Sequence, residues 1–384
     1  MATIKEKIIE IAQSMGFQRT VIGSVEPMDA EREQYERWLA QGFAAGMEYL
    51  KRNPHFRTSP HLLYPNTRSA IIVSISYYTN LPPDPGLEFG RVARYAVGLD
   101  YHPVIRKYLR ELKARIEETI GRPLIGKAFT DDVALFEQGY ASRHGLGFAG
   151  KNTLIIGPKL SGSYYFIGEL FTDLDLDADE RYVGTCGACF RCGSACPTDA
   201  IHPNGEIDAN YCISYLTIEN KGEIPLALRS KIGRWFFGCD ICQEVCPYNQ
   251  RPPIAPWSEF QPSQGAGHYV DLCSLLDISD DAQFKLRFGD SSPLRRPKRF
   301  GLQRNALTVL GNSIRESLEK SDEKTYAKIS NSILQFLDRE QNSTLVEHGI
   351  WALSQNPDEH SRLKRLLDRR DDLSIRRKAF EYIT

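Results

Sequence analysis

Residues 186–201 read CGACFRCGSACPTDAI, and the spacing of their cysteines decides what this part of the chain folds around. Cys186, Cys189, Cys192 and Cys196 are separated by two, two and three residues, and Pro197 follows the last of them. This C-x2-C-x2-C-x3-C-P run is typical of proteins with two 4Fe-4S clusters, in which three cysteines bind one cluster and the fourth binds the other. The stretch therefore requires a second group of cysteines.

The second group lies further along the chain. GCDICQEVCPYN repeats the last three cysteine positions of the run, and NYCISYL can supply the missing first one. We assign Cys186, Cys189, Cys192 and Cys246 to the first cluster, and Cys196, Cys212, Cys239 and Cys242 to the second. Structural zinc is the alternative, because four thiolates also suit tetrahedral zinc, but zinc ribbons favour separated C-x2-C pairs. Cys273 is left over and is expected to be a buried thiol.

The composition sets limits on the location and the partners of the protein. The chain has 384 residues, 41% hydrophobic and 25% charged, which is enough for two or three cored domains. A formal net charge of -1 means that any surface for nucleic acid must be local. The charges in MATIKEKIIEIAQSMGF exclude a signal peptide, and no run of about 18 apolar residues could cross a bilayer. We expect a cytoplasmic protein with reduced cysteines.

The hydrophobic pattern predicts four regions and a multidomain α+β fold. Residues 1–180 alternate helical and strand patterns, which indicates an α/β domain; TLIIG and SYYFIGELF, joined by PKLSGS, predict a hairpin that makes its sheet mixed. Residues 181–253 are a ferredoxin-like module that needs metal to fold. Residues 254–299 are a linker and packing segment, since PPIAPWSEFQPSQGAGHYV is rich in Pro, Gly and Ser. Residues 300–384 favour a HEAT-like stack of helices.

A glycine-rich stretch, GLGFAGKN at 145–152, partly matches two nucleotide-binding loops. Gly145, Gly147 and Gly150 give G-x-G-x-x-G, and Lys151 extends a near match to a phosphate-binding loop, but both motifs need a strand before the glycines and a helix after them. Here the helical pattern ALFEQGYASRH precedes and the strand TLIIG follows. The glycines therefore indicate either a backbone close to a cofactor or a plain helix-to-strand turn.

Two other stretches contain candidate polar groups. Asp100 and His102 begin like the D-x-H-x-x-G signature of some cobalamin proteins, but Ile105 replaces the glycine, and an Asp cap on the following helix is the alternative. Asp131 and Asp132 follow the predicted strand LIGKAFT, where α/β proteins place catalytic groups. Either aspartate could be a general acid whose pKa is raised by burial, or a helix N-cap.

Basic residues are concentrated near the C-terminus, in RRPKRFGLQR, RLKRLLDRR and SIRRKAF. A solvated helical face is the ordinary explanation of such runs. The alternative is a surface that follows the phosphates of RNA. Its candidate residues are Arg295, Arg296, Lys298, Arg299 and Arg304.

Several stretches together resemble one family, the epoxyqueuosine reductases: RYAVGLDYH, GLGFAGKNTLII, the eight-cysteine module, YCISYLTIENKG and GCDICQEVCPYN. The resemblance implies reduction of epoxyqueuosine to queuosine at the wobble position of tRNA, the last step of queuosine biosynthesis. It also implies an α/β domain that binds base-off cobalamin, two 4Fe-4S clusters that pass electrons to it, and a HEAT-like C-terminal domain that binds tRNA.

The resemblance further implies roles for single residues. Asp131 matches the family's catalytic aspartate, because it precedes Glu137 in a D-x5-E pattern; Val133 and Ala134 replace the usual Ala-Pro, which leaves Asp132 as a competitor. The residues that match segments lining the cobalamin pocket are Arg57, Tyr95, Asp131, Gly150, Lys151, Asn152 and Thr153.

Two other functions stay open on the sequence alone. A cobalamin-dependent reductase of small molecules, such as a dehalogenase, would have little use for the basic tail. A ferredoxin-type electron carrier would leave the α/β domain unexplained. The favoured function predicts tRNA and a low-potential electron donor as partners, no membrane partner, and a monomer.

Overall fold

The structure is a computed structural model, and it describes residues 2–64, 66–159, 161–368 and 382. Within these residues the strands are β1 (Arg19–Ser24), β2 (Ser69–Ser76), β3 (Phe89–Val92), β4 (Gly126–Phe129), β5 (Phe148–Ala149), β6 (Ile155–Ile156), β7 (Tyr165–Thr172), β8 (Trp235–Phe237) and β9 (Tyr269–Asp271). They form a four-stranded sheet in the order β1-β2-β7-β4, a three-stranded sheet in the order β8-β3-β9, and the pair β5-β6.

The helices include those predicted from TIKEKIIEIAQSM, AEREQYERWLAQGF and VIRKYLRELKARIEETI, which are confirmed as α1, α2 and α5. In chain order they are α1 (Ile4–Ser14), α2 (Asp29–Ala40), α3 (Glu48–Lys51), α4 (Pro54–Arg57), α5 (Tyr101–Ile120), α6 (Glu137–Arg143), α7 (Arg191–Ala195), α8 (Ile213–Ile218), α9 (Leu226–Arg229), α10 (Ile241–Glu244), α11 (Leu272–Leu276), α12 (Asp281–Phe288), α13 (Lys298–Glu319), α14 (Glu323–Arg339), α15 (Ser343–Ser354) and α16 (His360–Asp368). None of these helices has the length and apolar character that a membrane span requires.

The chain divides into two units that alternate along the sequence. The first unit comprises Met1–Asn80, Gly98–Asn210 and Asp240–Gln264; the second comprises Leu81–Val97, Tyr211–Cys239 and Gly265–Thr384. The predicted borders at 181, 254 and 300 do not coincide with this division, because each unit gathers segments that are distant in sequence. A sequence-based prediction that assigns each continuous stretch to one domain cannot find units made of separated segments.

The sheet of the first unit is antiparallel throughout, so the prediction of a mixed sheet is wrong. β2 pairs with β1 and β7, and β4 pairs with the other edge of β7. The predicted hairpin of TLIIG with SYYFIGELF is also wrong: β6 pairs with β5, because both edges of β7 are already occupied. The PKLSGS segment still forms a turn, which is closed by a hydrogen bond from the Gly157 N–H to the Gly162 carbonyl at 2.8 Å.

Both faces of this sheet are covered. Every residue of β2 is buried, as in a central strand. On one face α5 approaches β7 closely at Gly168, where a Cβ atom would lie 2.8 Å from Ile105. On the other face Tyr140 of α6 packs with Ile72, Phe129 and other apolar residues. The loop between β4 and α6, which contains Asp131, is therefore fixed at both ends by core elements.

The second unit is built around a buried helix. β3 pairs in parallel with β8 and antiparallel with β9. Every residue of α13 from 301 to 314 is buried, as expected of a helix that is enclosed on all sides, and α14 and α15 pack against it. The predicted helical region after residue 300 is confirmed as far as residue 368, and its HEAT-like character stays a prediction. The basic stretch SIRRKAF lies outside the described residues.

The segment predicted as a linker is ordered. Trp257 and Phe260 are buried in the first unit, and the second unit draws β9, α11 and α12 from residues 265–288. The prediction of a linker is wrong because the Pro, Gly and Ser residues form tight turns around buried aromatic side chains. Cys273 in α11 is buried as expected, and burial raises the pKa of its thiol to about 11.

Candidate active site and cluster site

Four cysteines of the first unit surround one cavity. Cys186, Cys189, Cys192 and Cys246 line this cavity together, and they are the set predicted for the first cluster. Each of these cysteines is partly buried. Burial, followed by the charges of neighbouring thiols, raises the pKa values of Cys192 and Cys246. Thiolates gathered in this way need bound cations to stay ionised, as the irons of a cluster would provide.

The arrangement of these thiols suits a cluster better than zinc. Cys186, Cys189, Cys192 and Cys246 are spread around one cavity. In a 4Fe-4S cluster the thiolates are spread around the cluster, whereas tetrahedral zinc draws four sulfurs to about 2.3 Å from one point. The chemistry of the donor set therefore fits an iron-sulfur cluster.

The cysteines predicted for the second cluster are divided between the units. Cys196 and Cys242 belong to the first unit, and Cys212 and Cys239 belong to the second. Cys212 is the residue that precedes the first turn of α8, and Cys242 lies within α10. Their joint ligation of a second cluster stays a prediction.

The glycine-rich stretch leads from α6 through a helix-to-strand turn at Gly145 into β5, and then into the turn that joins β5 to β6 beside the cysteine cavity. The Thr153 N–H donates to the Gly150 carbonyl at 2.9 Å, and Thr153 has a left-handed backbone with φ of 64°. Lys151 and Asn152 line the cavity, and Lys151 Nζ donates to the Gly187 carbonyl at 3.0 Å. Asn152 is buried, and its Nδ2 has no hydrogen-bond partner among the described residues. The turn reading is confirmed, and Asn152 additionally offers a buried donor.

A carboxylate and an imidazole meet at the start of α5. Asp100 caps the helix, as its Oδ1 accepts the His102 N–H at 3.0 Å and lies 2.7 Å from His102 Nδ1. Burial acts to lower the pKa of His102, but the hydrogen bond and charge of Asp100, together with the charges of Asp131 and Asp132, outweigh it and raise the pKa. The N-cap reading of Asp100 is confirmed, and His102 is held as a proton carrier.

Asp131 lies beside this pair with its carboxylate open to solvent. The Tyr101 hydroxyl donates to Asp131 Oδ2, and His102 Nε2 lies 3.8 Å from the same oxygen. The Asp131 side chain is 67% exposed. Its backbone is left-handed, with φ of 49°, a conformation that non-glycine residues adopt rarely and that occurs often at functional sites. The position suits a group that must meet a substrate.

Asp132 has a different setting. Its Oδ1 accepts the Thr130 N–H at 3.0 Å, and its Oδ2 pairs with Arg106 at 2.8 Å. These bonds hold the loop together and occupy the Asp132 carboxylate. Neither aspartate caps a helix, because α6 begins only at Glu137, so the N-cap alternative for Asp131 and Asp132 is wrong. The geometry favours Asp131 over Asp132 as the reactive acid, and its catalytic role stays a prediction.

Sequence reasoning missed a second carboxyl group beneath this loop. Glu169 lies in β7, is fully buried, and neighbours Ile72 of β2 and Phe129 of β4 in the strand register. Burial raises its pKa well above the ordinary value. The available signal was the single acidic residue in the otherwise apolar strand SYYFIGELF.

An aromatic wall adjoins Asp131. The Tyr101 ring stacks on Phe166 with centroids 4.4 Å apart and on His102 with centroids 4.1 Å apart. Phe166 also contacts Tyr77 at 4.6 Å and Phe260 at 5.0 Å. Because Tyr101 lies between His102 and Phe166, and Phe166 is buried, the stack fixes the position of the Tyr101 hydroxyl beside Asp131.

The remaining residues predicted to contact cobalamin lie in different units. Arg57 of α4 donates from Nη2 to the Tyr49 carbonyl at 2.8 Å, and its own carbonyl accepts the Phe136 N–H at 2.8 Å, next to the Asp131 loop. The Arg57 Nε is buried and has no hydrogen-bond partner among the described residues. Tyr95 belongs to the second unit, where its ring lies 6.1 Å from that of Phe237. The assignment of both residues to cobalamin stays a prediction.

The predicted tRNA-binding residues do not share one environment. Arg304 is fully buried and donates to the carbonyls of Leu216, Asn220 and Gly222 at 2.6 to 2.8 Å, so its prediction as a tRNA contact is wrong. Three of the other side chains form ion pairs with acidic neighbours: Arg295 with Asp290, Arg296 with Glu219, and Arg299 with Asp281. Lys298 is exposed. For these four residues, tRNA contact stays a prediction.

Two family models match the chain. A model described as "Epoxyqueuosine reductase QueG, DUF1730" covers residues 57–132, which include Asp131. A model described as "4Fe-4S double cluster binding domain" covers residues 185–249, which include all eight clustered cysteines. The second match supports the prediction of an iron-sulfur module.

Whole-chain relatives carry the same name. The epoxyqueuosine reductase of Vibrio cholerae is 34% identical over 95% of this chain and 97% of its own, and that of Pseudomonas aeruginosa is 38% identical over 81% and 86%. Among solved structures, an epoxyqueuosine reductase with a tRNA-Tyr epoxyqueuosine-modified stem loop has a TM-score of 0.85 at 26% identity, covering 99% of this chain and 98% of that one. A Bacillus subtilis epoxyqueuosine reductase with its catalytic loop swung out of the active site has a TM-score of 0.83 at 26% identity, with the same coverage. The chain belongs to the epoxyqueuosine reductase family.

Proposed function

We propose that this oxidoreductase reduces epoxyqueuosine to queuosine at the wobble position of tRNA, with electrons supplied through two 4Fe-4S clusters and cobalamin, and that Asp131 is its proton donor. The observation that carries the proposal is the exposed Asp131 carboxylate, hydrogen-bonded by Tyr101 and beside His102, in a chain of this family. A dehalogenase-like reductase or a simple electron carrier has no comparable support.

The residues present fit the proposed cofactors. Cys186, Cys189, Cys192 and Cys246 would hold the first cluster, and the remaining four clustered cysteines the second. Asn152 and Arg57 have buried donors without partners among the described residues, which suit the amides and the phosphate of cobalamin. When bound, these cofactors supply low-potential electrons to the epoxide.

The chain's own residues handle the protons. Opening an epoxide leaves a negatively charged oxygen, and a carboxylic acid at Asp131 can protonate it as the charge develops. The Tyr101 hydroxyl fixes the orientation of Asp131 Oδ2, while His102, with its raised pKa, can return a proton to Asp131. Loss of water from the opened ring would then give the cyclopentene of queuosine.

The substrate must come to Asp131 as an unstacked base. Enzymes that act on a base within folded RNA bind it outside the stack, often against aromatic side chains. The exposure of the Asp131 carboxylate allows such a base to reach it. The other partners proposed for the protein are a low-potential electron donor and, at Arg295, Arg296, Lys298 and Arg299, the tRNA backbone.

Replacement of Asp131 by Asn tests this function. We expect Asp131→Asn to retain the iron-sulfur and cobalamin spectra while turnover of epoxyqueuosine tRNA falls by about 10²- to 10⁴-fold, the range for loss of a general acid. Asp175→Asn is the matched control, because Asp175 is an exposed acid that pairs with Arg68. Full turnover by Asp131→Asn would exclude the assigned role. Absence of epoxyqueuosine reduction by the reconstituted natural protein would exclude the function.

A further inference from the structure

Glu169 has no obvious structural reason to be an acid. It lies in the central part of the antiparallel sheet, on the face that carries the apolar cluster of Ile72, Phe129 and Tyr140. Its side chain is fully buried, and neither carboxyl oxygen accepts a hydrogen bond from a described donor. An ionised carboxylate at this place would be strongly unfavourable, so Glu169 must be protonated in the folded protein.

The protonated Glu169 has one acidic neighbour to which it can donate. Glu137, the first residue of α6, is that neighbour: a proton held by Glu169 and directed at Glu137 would favour the charged form of Glu137 and the protonated form of Glu169. Burial and the charge of Asp131 nevertheless raise the pKa of Glu137 to about 8. The fully buried Glu169 is therefore placed to act as the donor, and the partly exposed Glu137 as the acceptor.

Glu137 connects this pair to the active site. Its Oε1 accepts the N–H of Asp131, the residue with the left-handed backbone. That conformation is unfavourable for an aspartate by itself and persists only where the surrounding structure fixes it. The hydrogen bond from the Asp131 N–H to Glu137 constrains the backbone of Asp131. The side chain of the same residue faces Tyr101 and His102.

We propose that Glu169 is a positioning residue of the active site: its buried carboxyl holds Glu137 under the Asp131 N–H and thereby fixes the orientation of the Asp131 carboxyl. The inference rests on the proposed role of Asp131 as proton donor. An apolar side chain would pack well at position 169, but it could not donate to Glu137.

The charged groups around the pair give this arrangement a pH dependence. Asp131 and Asp132 face it from the β4–α6 loop, and both are acidic. Tyr140 faces it from α6, but its hydroxyl donates to the Ser24 carbonyl at 2.8 Å. Since none of these groups is a cation, loss of a proton from the pair places a negative charge next to Asp131. Turnover should therefore fall on the alkaline side as the pair ionises.

Three variants separate positioning from stability. Glu169→Leu removes the donor, and we expect kcat to fall by about 10- to 100-fold, the cost of a misplaced reactive group, with KM for tRNA and the cofactor spectra unchanged. Glu169→Gln keeps a donor for Glu137 and should retain kcat within about threefold at pH 7. Glu137→Gln keeps an acceptor for the Asp131 N–H but cannot ionise, so it should lose the alkaline fall in kcat.

Thr172→Val is the matched control. Thr172 is fully buried at the end of the same strand, and its hydroxyl accepts the Leu174 N–H at 3.1 Å, away from the Asp131 loop. We expect this variant to change the melting temperature without changing kcat or the pH profile. Natural kcat and an unchanged alkaline limb in both Glu169→Leu and Glu137→Gln would overturn the inference while leaving the proposed function intact. If Glu169→Leu does not fold, the pH profile of Glu137→Gln decides by itself.

Discussion

Glu347 should be among the most sensitive positions for the stability of the second unit. It lies in α15 and forms a bidentate ion pair with Arg229 of α9, with Nη1–Oε1 at 3.0 Å and Nη2–Oε2 at 2.9 Å. The side chains are only 2% and 5% exposed. Glu347→Gln keeps the shape of the side chain but removes its charge, which leaves the Arg229 guanidinium buried without a counter-ion.

The loss of folding stability expected for Glu347→Gln can be estimated in two ways. Breaking a buried ion pair by removal of one partner costs about 3–5 kcal/mol. Independently, burial would raise the pKa of Glu347, but hydrogen bonds from His348 and Arg229, together with the charge of Arg229, lower it to about 2 from 4.5. Such a difference corresponds to about 3 kcal/mol of stability, which is present above pH 4.5 and lost as the pH falls towards 2. Both estimates place the effect near 3–4 kcal/mol.

Calorimetry of the cofactor-loaded protein would measure this effect. A loss of about 3 kcal/mol lowers the melting temperature of a unit of this size by about 6–12 °C. The double variant Arg229→Met with Glu347→Leu is the control, because replacement of the whole pair by apolar residues is often neutral or stabilising. A shift below 2 °C in Glu347→Gln, or a larger loss in the double variant than in the single one, would refute the reasoning.

Two further predictions concern a buried histidine and the first cluster. His348 is fully buried, and its Nε2 accepts the Ile224 N–H at 3.2 Å; burial lowers its pKa, so the unfolded chain binds the proton more readily. Stability should therefore fall by about 1 kcal/mol as the pH decreases from 7.5 to 5.5, and calorimetry should show a smaller fall in His348→Gln. Cys246→Ser should lose the first cluster and about half of the iron, whereas Cys273→Ser should keep the iron content and the visible spectrum; equal iron in both variants would contradict the ligand assignment.

Local features of this fold were predictable from the sequence, and non-local ones were not. The periodicity of α1, α2 and α5 is contained in neighbouring residues, as are the Thr3 cap of α1 and the Asp100 cap of α5. The antiparallel sheet order depends on β7 pairing with two strands that precede it by about 90 and 40 residues, which no window of the sequence contains. A pattern can identify a strand but not its partner.

The same distinction applies to the candidate sites. The cysteine spacing is itself local, so the four cysteines that line the cavity could be grouped before the structure was known, and their ligation of a cluster stays a prediction. In the sequence Arg304 is one basic residue in a basic run, which predicts an exposed side chain. Only the fold shows that its guanidinium donates to three backbone carbonyls. Glu169 was missed for a related reason. Its proposed positioning role depends on Glu137 and Asp131, which lie on a different segment of the chain.

One short segment of the first unit connects Asp131, the proposed proton donor, with the cavity proposed to hold the first iron-sulfur cluster. Residues 131–156 begin at the Asp131 loop, continue through α6, which presents Glu137, and end at β6, whose Ile156 lines the cysteine cavity with Lys151 and Asn152. A displacement of α6 would therefore affect the orientation of Asp131 and the wall of the cluster cavity together. If Glu169 holds Glu137 at the first turn of α6 as proposed, its replacement should also shift the reduction potential of the first cluster while its visible spectrum stays unchanged, whereas Asp131→Asn, which leaves that turn unchanged, should shift neither.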